Sequence, residues 1–498
     1  MPDISNKKRR FTSESDTHSM SRSRSKSRSH SISRLRSKSR SYSVSFAKTK
    51  RRRVKVNRNN AIHTRRNTKQ TNDLINSVCS ILGTDLCNAL TTFRIDLLEY
   101  FDNFVHFNNM ISPSMRMGAP SANGFVRRIT YKRGNITSYA ILKSSVESNS
   151  DNLAYEYLVG KFINNLRSKF PCFVETYGLF YYKTDEKWKE CMNHVEVPTE
   201  RLQEALTLSS GEIDYKFLCD NSKYAAILIE NIPSAQSIAT ILKSNIFLKF
   251  ANIDLLGCLY QIYYCLSKTA SYFTHYDLHH DNVMLYALPK NKYITYHFKL
   301  PYGSILTFHS KYIVKIIDYG RSFFLDNANN SFEIYKNVTK TIIGQSTLSD
   351  VGFFSMTNEA FDRFKISSYR RNISSDLRLL KVYIYKKLNE VTIRPDSPLE
   401  ILKNVLSKVV YGIGTQPRNE RYGTTENPNL TAYQFNNDIC NVVQAEQALR
   451  SLFPLFEESN NRYYEGQSSA YEKMGDFYID GVNDMRFEIF NGVKSAHK

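Results

Sequence analysis

His275–Leu285 reads HYDLHHDNVML, and Tyr312–Phe324 reads YIVKIIDYGRSFF. Together these stretches supply a carboxylate, Asp277, an amide five residues on, Asn282, and a second carboxylate, Asp318, just ahead of Gly320. The apolar run Ile313–Ile317 reads as a buried strand that delivers Asp318 from its end. An acid that can orient a hydroxyl, with Asn and Asp oxygens suited to hard Mg²⁺ ions, is the set that phosphoryl transfer requires.

HYDLHHDN and DYG resemble the HRDLxxxN and DFG motifs of the protein kinase superfamily. The resemblance implies that Asp277 is the catalytic acid, that Asn282 and Asp318 hold Mg²⁺, and that His275 and Gly320 support them. It also implies an ordered set of partners along the chain. SYAILKSS is a strand bearing Lys143, which matches the lysine that holds nucleotide phosphates. Glu156, thirteen residues on, opens a helix with apolar positions Leu153, Tyr157, Leu158, Phe162 and Leu166, and is expected to pair with Lys143. FVETYGLFYY and KYAAILIE read as the next strands, the second ending at Glu230, where a hinge gripping adenine should begin. Asp254–Phe273 reads as a helix leading into the catalytic loop, and Asp376 in NISSDLRLL is expected to brace that loop from below.

The departures are specific. The glycine-rich loop keeps only its last glycine, so the nucleotide contacts fall to Ala119, Ser121, Gly124 and Val126, with Gly118 just upstream. Tyr276 stands where many regulated kinases carry Arg, which argues against control through a phosphorylated activation loop. His279 stands where Ser/Thr kinases place a Lys on the transferring phosphate. Adjacent His279 and His280 are read as diverging, so zinc is set aside there. A stretch between Tyr182 and Lys223 with the lone Trp188 reads as an elaboration of the small lobe. YITYHFKL and SILTFHSKY around PYG read as a β-hairpin between Asn282 and Asp318, a feature that resembles kinases of large DNA viruses, and no APE motif follows.

Composition bounds the rest. The chain has 498 residues, 41% hydrophobic and 13% aromatic, ample for a buried core. Residues 1–70 carry 22 of the 68 Lys and Arg but only three of the 47 acids, so +19 of the net +21 lies there and the other 428 residues are close to neutral. Ser19–Ser45 alternates 13 serines with eight Arg or Lys and offers almost nothing to bury, so residues 1–70 should be a disordered basic Arg/Ser-rich tail. Lys48–Lys55 (KTKRRRVK) resembles a nuclear localisation signal, and this charge density attracts nucleic acid or an import receptor. Residues 72–109 carry apolar positions at helical spacing, broken at Gly83, and predict two amphipathic helices. Without an apolar run of 18 residues or a signal peptide, no membrane partner is expected, and the chain is expected inside a cell, in a host nucleus or cytoplasm, or in a virion. The eight cysteines, with no CxxC pair, are expected to be reduced structural thiols.

The expected architecture is α+β: a bilobal protein-kinase-like fold with a small β-rich lobe and a larger helical lobe. The boundaries expected are tail 1–70, helical extension 71–111, small lobe 112–232, large lobe 233–460 and C-terminal extension 461–498. The expected function is transfer of the γ-phosphate of ATP, with Mg²⁺, to Ser/Thr hydroxyls of protein substrates. The alternatives are an inactive kinase-fold scaffold that binds nucleic acid through its tail, and a small-molecule or lipid kinase on the same fold.

Overall fold

Ten residues pair with ten across a two-residue loop in the hairpin that starts the main sheet, from Gly124↔Ser145 to Arg133↔Ile136. Gly134 takes φ +57° in that loop, a conformation that side-chain-bearing residues rarely adopt. The computed structural model describes residues 79, 82–90, 94–107, 110–118, 124–145, 153–209, 222–233, 236–325, 348–349, 352–356, 363–366, 371–411 and 437–489. Tail 1–70 and the loop residues Ala119 and Ser121 therefore lie outside the described residues.

The chain is a mixed α/β protein. Its largest sheet is antiparallel and curled, built from β1 (Ser114–Arg116), β2 (Gly124–Arg133), β3 (Ile136–Ser145), β4 (Thr176–Tyr182), β5 (Glu196–Val197), β6 (Leu206–Leu208) and β7 (Ala225–Glu230) in the order β5-β1-β2-β3-β7-β4-β6. Alternation decides its faces. Ile136, Ala140 and Leu142 of β3 join Phe125, Ile129 and Tyr131 of β2 in one apolar cluster, while Lys143 points to the opposite face. That opposite face packs on the helix Leu153–Asn164. A separate and larger cluster surrounds the helix Leu255–Thr269, most of whose side chains are buried.

The stretch after Tyr182 forms the helices Asp185–Asn193 and Thr199–Ala205, and what binds them to the sheet is a buried arginine. Arg127, fully buried on β2, donates to the carbonyls of Ser114 (2.7 Å), Cys191 (2.7 Å), His194 (2.8 Å) and Val195 (3.0 Å), and to Ser114 Oγ (3.0 Å). Two of these carbonyls close the C-terminal end of the helix Asp185–Asn193, where unpaired acceptors and the helix dipole favour a cation. Arg127→Leu would take this donor set from the buried Cys191 and Ser114 oxygens, while the Val195 carbonyl keeps the Arg116 N–H, and a loss on the order of 3 kcal/mol is expected, measured as a lower urea midpoint at unchanged slope.

The hairpin expected between Asn282 and Asp318 forms, with Lys292–Lys299 pairing antiparallel to Ile305–Ser310 from Ile294↔Ser310 to Lys299↔Ile305. Its outer strand is then joined in parallel by Glu472–Ile479, which carries Arg486–Ile489 on its far side. The helix Phe453–Glu465 crosses the 460/461 boundary, and the strands after it complete the hairpin sheet, so residues 461–489 belong to the large body. Two hollows of about 340 and 490 Å³ lie along this sheet, and neither is lined by any residue selected from the motifs. Leu348–Ser349, Gly352–Met356 and Arg363–Ile366 form a further small antiparallel sheet. Among the described residues no helix is long and apolar enough to cross a membrane.

Two expectations for the N-terminal segment are corrected. The second helix ends at Tyr100, because Asp102, Asn103 and Phe104 take positive φ and turn the chain; Phe104 is still buried. Cys79 and Cys87 form a disulfide eight residues apart, which the search for CxxC pairs missed. Cys172, Cys191, Cys258, Cys265 and Cys440 are in no disulfide among the described residues, and Cys219 lies outside them.

The helix Thr84–Ala89 carries Asp85, whose carboxyl burial pushes up to about 7 against the opposing hydrogen bond from Asn231. A carboxyl raised on folding is stabilising while protonated, so its contribution is complete below the ordinary value of 3.8 and lost as pH rises through about 7. Wild type should therefore lose stability relative to Asp85→Asn between pH 4 and 8, as read from parallel denaturation curves; parallel pH dependences would refute the shift.

Candidate functional site

Strand β3 and the helix Leu153–Asn164 bring the first pair together. Lys143 Nζ lies 2.7 Å from Glu156 Oε2, with Glu156 itself buried, and 3.3 Å from Asp318 Oδ1. Val126 stands directly across the hairpin from Lys143, so both side chains share one face above the cleft. Gly124 pairs with Ser145, and a Cβ there would come within 2.4 Å of the Ser144 carbonyl oxygen. Closure of the hairpin thus accounts for that glycine without any nucleotide.

The loop His275–Asn282 is held from several sides. The short strands Phe273–Thr274 and Phe323–Phe324 pair across its base. Asp376 accepts from the backbone N–H groups of His275 (2.8 Å) and Tyr276 (2.9 Å), and Asp376 is itself buried beneath the loop. Burial raises the Asp376 carboxyl, and His275 with the two N–H groups only partly offsets this. Tyr276 is bent to φ +65° and buries its ring against Phe323, which shows what Tyr gives this position in place of a charged side chain.

The loop is also tied to the Asp318 segment. His275 Nε2 lies 3.0 Å from the Ile317 carbonyl, Ile317 N–H donates to the Asn282 carbonyl (3.0 Å), and Asn282 Nδ2 donates to the Asp277 carbonyl (3.0 Å). These bonds set Asn282 beside Asp318, an all-oxygen donor pair of the kind a hard divalent cation prefers. Asp318 has φ +68°, a strained left-handed conformation for a residue with a side chain, and its carboxylate reaches Lys143. Burial raises that carboxyl, but Lys143, Arg321 and His275 outweigh it and hold it below the ordinary range. Tyr319, between Asp318 and Gly320, turns inward; its hydroxyl donates to the Ile316 carbonyl (2.8 Å) and accepts from Val174 N–H (2.7 Å). Tyr155 on the Glu156 helix donates to the Ser322 carbonyl (2.6 Å), so that helix and the DYG segment are joined by more than the lysine.

Asp277 is paired with two arginines. Its Oδ1 accepts from Arg378 Nη1 at 2.8 Å and its Oδ2 from Arg321 Nη1 at 3.0 Å. Sequence reasoning selected neither arginine. Arg321 was visible one residue after Gly320 in the quoted stretch, and Arg378 two residues after Asp376; only the fold brings both to Asp277.

Glu230, expected where a nucleotide hinge begins, turns a fully buried carboxylate into the protein, where it pairs with Arg167 and with Lys315 Nζ (3.0 Å) and accepts from Glu175 N–H (3.1 Å). Arg94 pairs with Glu175 beside it. Arg167 also donates to the Asn88 carbonyl (3.0 Å) and Lys315 to the Ala89 carbonyl (3.2 Å), so the helix Thr84–Ala89 is part of this knot. Burial lowers Lys315 to about 8, with Glu230 pulling the other way. The expected divergence of His279 and His280 is also corrected: donor atoms of these two and Asp281 lie within 4.8 Å of one another, although His279 Nδ1 is occupied by the Asp281 N–H at 3.2 Å.

Neither a protein-family model nor a curated protein matches this chain.

Proposed function

We propose that the chain is an ATP-dependent phosphotransferase on a bilobal protein-kinase-like fold, transferring the γ-phosphate of ATP to Ser/Thr hydroxyls of proteins in the manner of the kinases of large DNA viruses. The observation that carries this reading is the meeting of Lys143 with both Glu156 and Asp318, from segments 13 and 175 residues away. The two separate apolar clusters, one under the β-rich part and one around the helix Leu255–Thr269, support a small and a large lobe.

In this mechanism Lys143, fixed by Glu156, orients the nucleotide phosphates, and Val126 covers the nucleotide from the opposite strand. Asp318 and Asn282 would hold Mg²⁺, which when bound neutralises charge on the phosphate oxygens. Asp277 orients the acceptor hydroxyl and receives its proton as the phosphoryl group is transferred. A radiolabelled ATP assay on the full chain, with a general basic protein and its own tail as acceptors, tests the reading. Transfer to protein that is lost in Lys143→Met supports it. Nucleotide binding with no transfer to any acceptor would favour a scaffold, and transfer to metabolites alone a small-molecule kinase.

The basic tail supports a second partner, a nucleic acid or an import receptor, because its charge is dense and the body is near neutral. A chain starting near Thr71 should lose nearly all salt-sensitive binding to RNA or DNA while keeping transfer to a small substrate. Undiminished affinity after truncation would place that surface on the body.

A further inference from the structure

Resting on the phosphotransferase reading, we propose that Arg321 is a catalytic cation of this site, contacting the transferring phosphoryl group while it holds Asp277. A phosphoryl group in transfer spreads negative charge over three oxygens, and fixed cations aimed at that charge are a major source of rate. The loop His275–Asn282 contains no Lys or Arg. Its nearest substitute, His279, lies 4.0 Å from Asp277 and lends its Nδ1 to the Asp281 N–H (3.2 Å).

Three cations stand close to the motif carboxylates, and they are not equivalent. Lys143 is engaged with Glu156 and Asp318 on the side of the largest sheet. Arg378 has only 3% of its side chain exposed and donates to Asp277 and to the Tyr383 hydroxyl (3.2 Å), so it supports the loop from within. Arg321 has 37% of its side chain exposed, and its Nη1 is 3.0 Å from Asp277 Oδ2. It is thus the exposed cation on the acid that would orient the acceptor, and it follows the acid that would hold the cation by three residues.

Its backbone is fixed. Ser322 N–H closes a turn onto the Tyr319 carbonyl (3.0 Å), and Ser322 is held by Tyr155 and, through its own hydroxyl, by the His275 carbonyl (3.2 Å). A guanidinium presents five N–H donors in one plane, enough to serve Asp277 and phosphate oxygens together, which an ammonium cannot do with the same geometry.

The test uses the full chain as wild type, Arg321→Gln and Arg321→Lys, with unfolding midpoints showing that all three fold. Calorimetric titration with Mg²⁺-ATP and Mg²⁺-ADP reads contact with the terminal phosphate without turnover, and transfer to a basic protein reads the reaction. Wild type should prefer ATP to ADP, and Arg321→Gln should lose that preference. Turnover of the Gln variant should fall about 100-fold and recover in part when millimolar guanidinium is added, with Arg321→Lys intermediate. An unchanged ATP preference in Arg321→Gln, or turnover at or above wild type, would overturn the proposal and make the Arg321–Asp277 contact a latch. If wild type binds nucleotide but transfers nothing, the ATP/ADP ratio still decides the matter. If it binds no nucleotide, the phosphotransferase reading falls and this inference with it.

Discussion

Asp277→Asn should reduce phosphoryl transfer about 10³-fold, within the range for loss of a positioned proton acceptor, while Mg²⁺-ATP affinity stays close to wild type. The separation follows from the contacts. Asp277 is held by Arg321 and Arg378, whereas Lys143 is paired with Glu156 and Asp318, so the lysine assigned to the nucleotide phosphates keeps these partners. Single-turnover transfer and nucleotide titration on the same preparation give both numbers. Asp318→Asn should behave differently, weakening Mg²⁺-ATP binding as well, because that carboxylate pairs with Lys143. Wild-type activity in both variants would show that the reaction, if any, uses other residues.

Glu230→Ala should destabilise the chain by about 3–5 kcal/mol, the usual consequence of leaving one side of a buried ion pair without its partner. Arg167 and Lys315 are both completely buried, and they share this carboxylate. The loss should appear in urea denaturation before any assay of activity, and it should be reduced when Lys315→Met is added, since that removes one of the two stranded cations. A Glu230→Ala protein as stable as wild type but weakened only toward nucleotide would restore the hinge role expected from its place at the end of the strand.

These outcomes show where the sequence was readable. Lys143, Glu156, Asp318 and Asp376 were picked out by the resemblance of their segments to kinase motifs, and each lies near the end or the start of a regular element. The hairpin after Asn282 was legible through alternation on either side of PYG. The partners of Glu230 were not legible because strand position gives its place but not its neighbours: Arg167 and Lys315 are 63 and 85 residues away, and the Asn88 and Ala89 carbonyls close the group from a distant segment. Arg321 and Arg378 were passed over because a charged residue beside a motif is usually solvated, and only long-range packing turns these two onto one carboxylate. The disulfide escaped a search restricted to CxxC spacing.

The parallel pairing of Glu472–Ile479 with Lys292–Lys299 fixes an order of events in the life of the molecule. About 180 residues separate the two strands, so the sheet beside the Asn282-to-Asp318 segment cannot be finished until those residues have also been synthesised. Until then the inner hairpin presents an open edge strand, a template for pairing with the wrong chain. Contacts this distant in sequence make for slow closure. Maturation of this sheet should therefore trail synthesis of its first strands, with the nascent protein depending on whatever shields the Lys292–Lys299 edge until Glu472–Ile479 arrives.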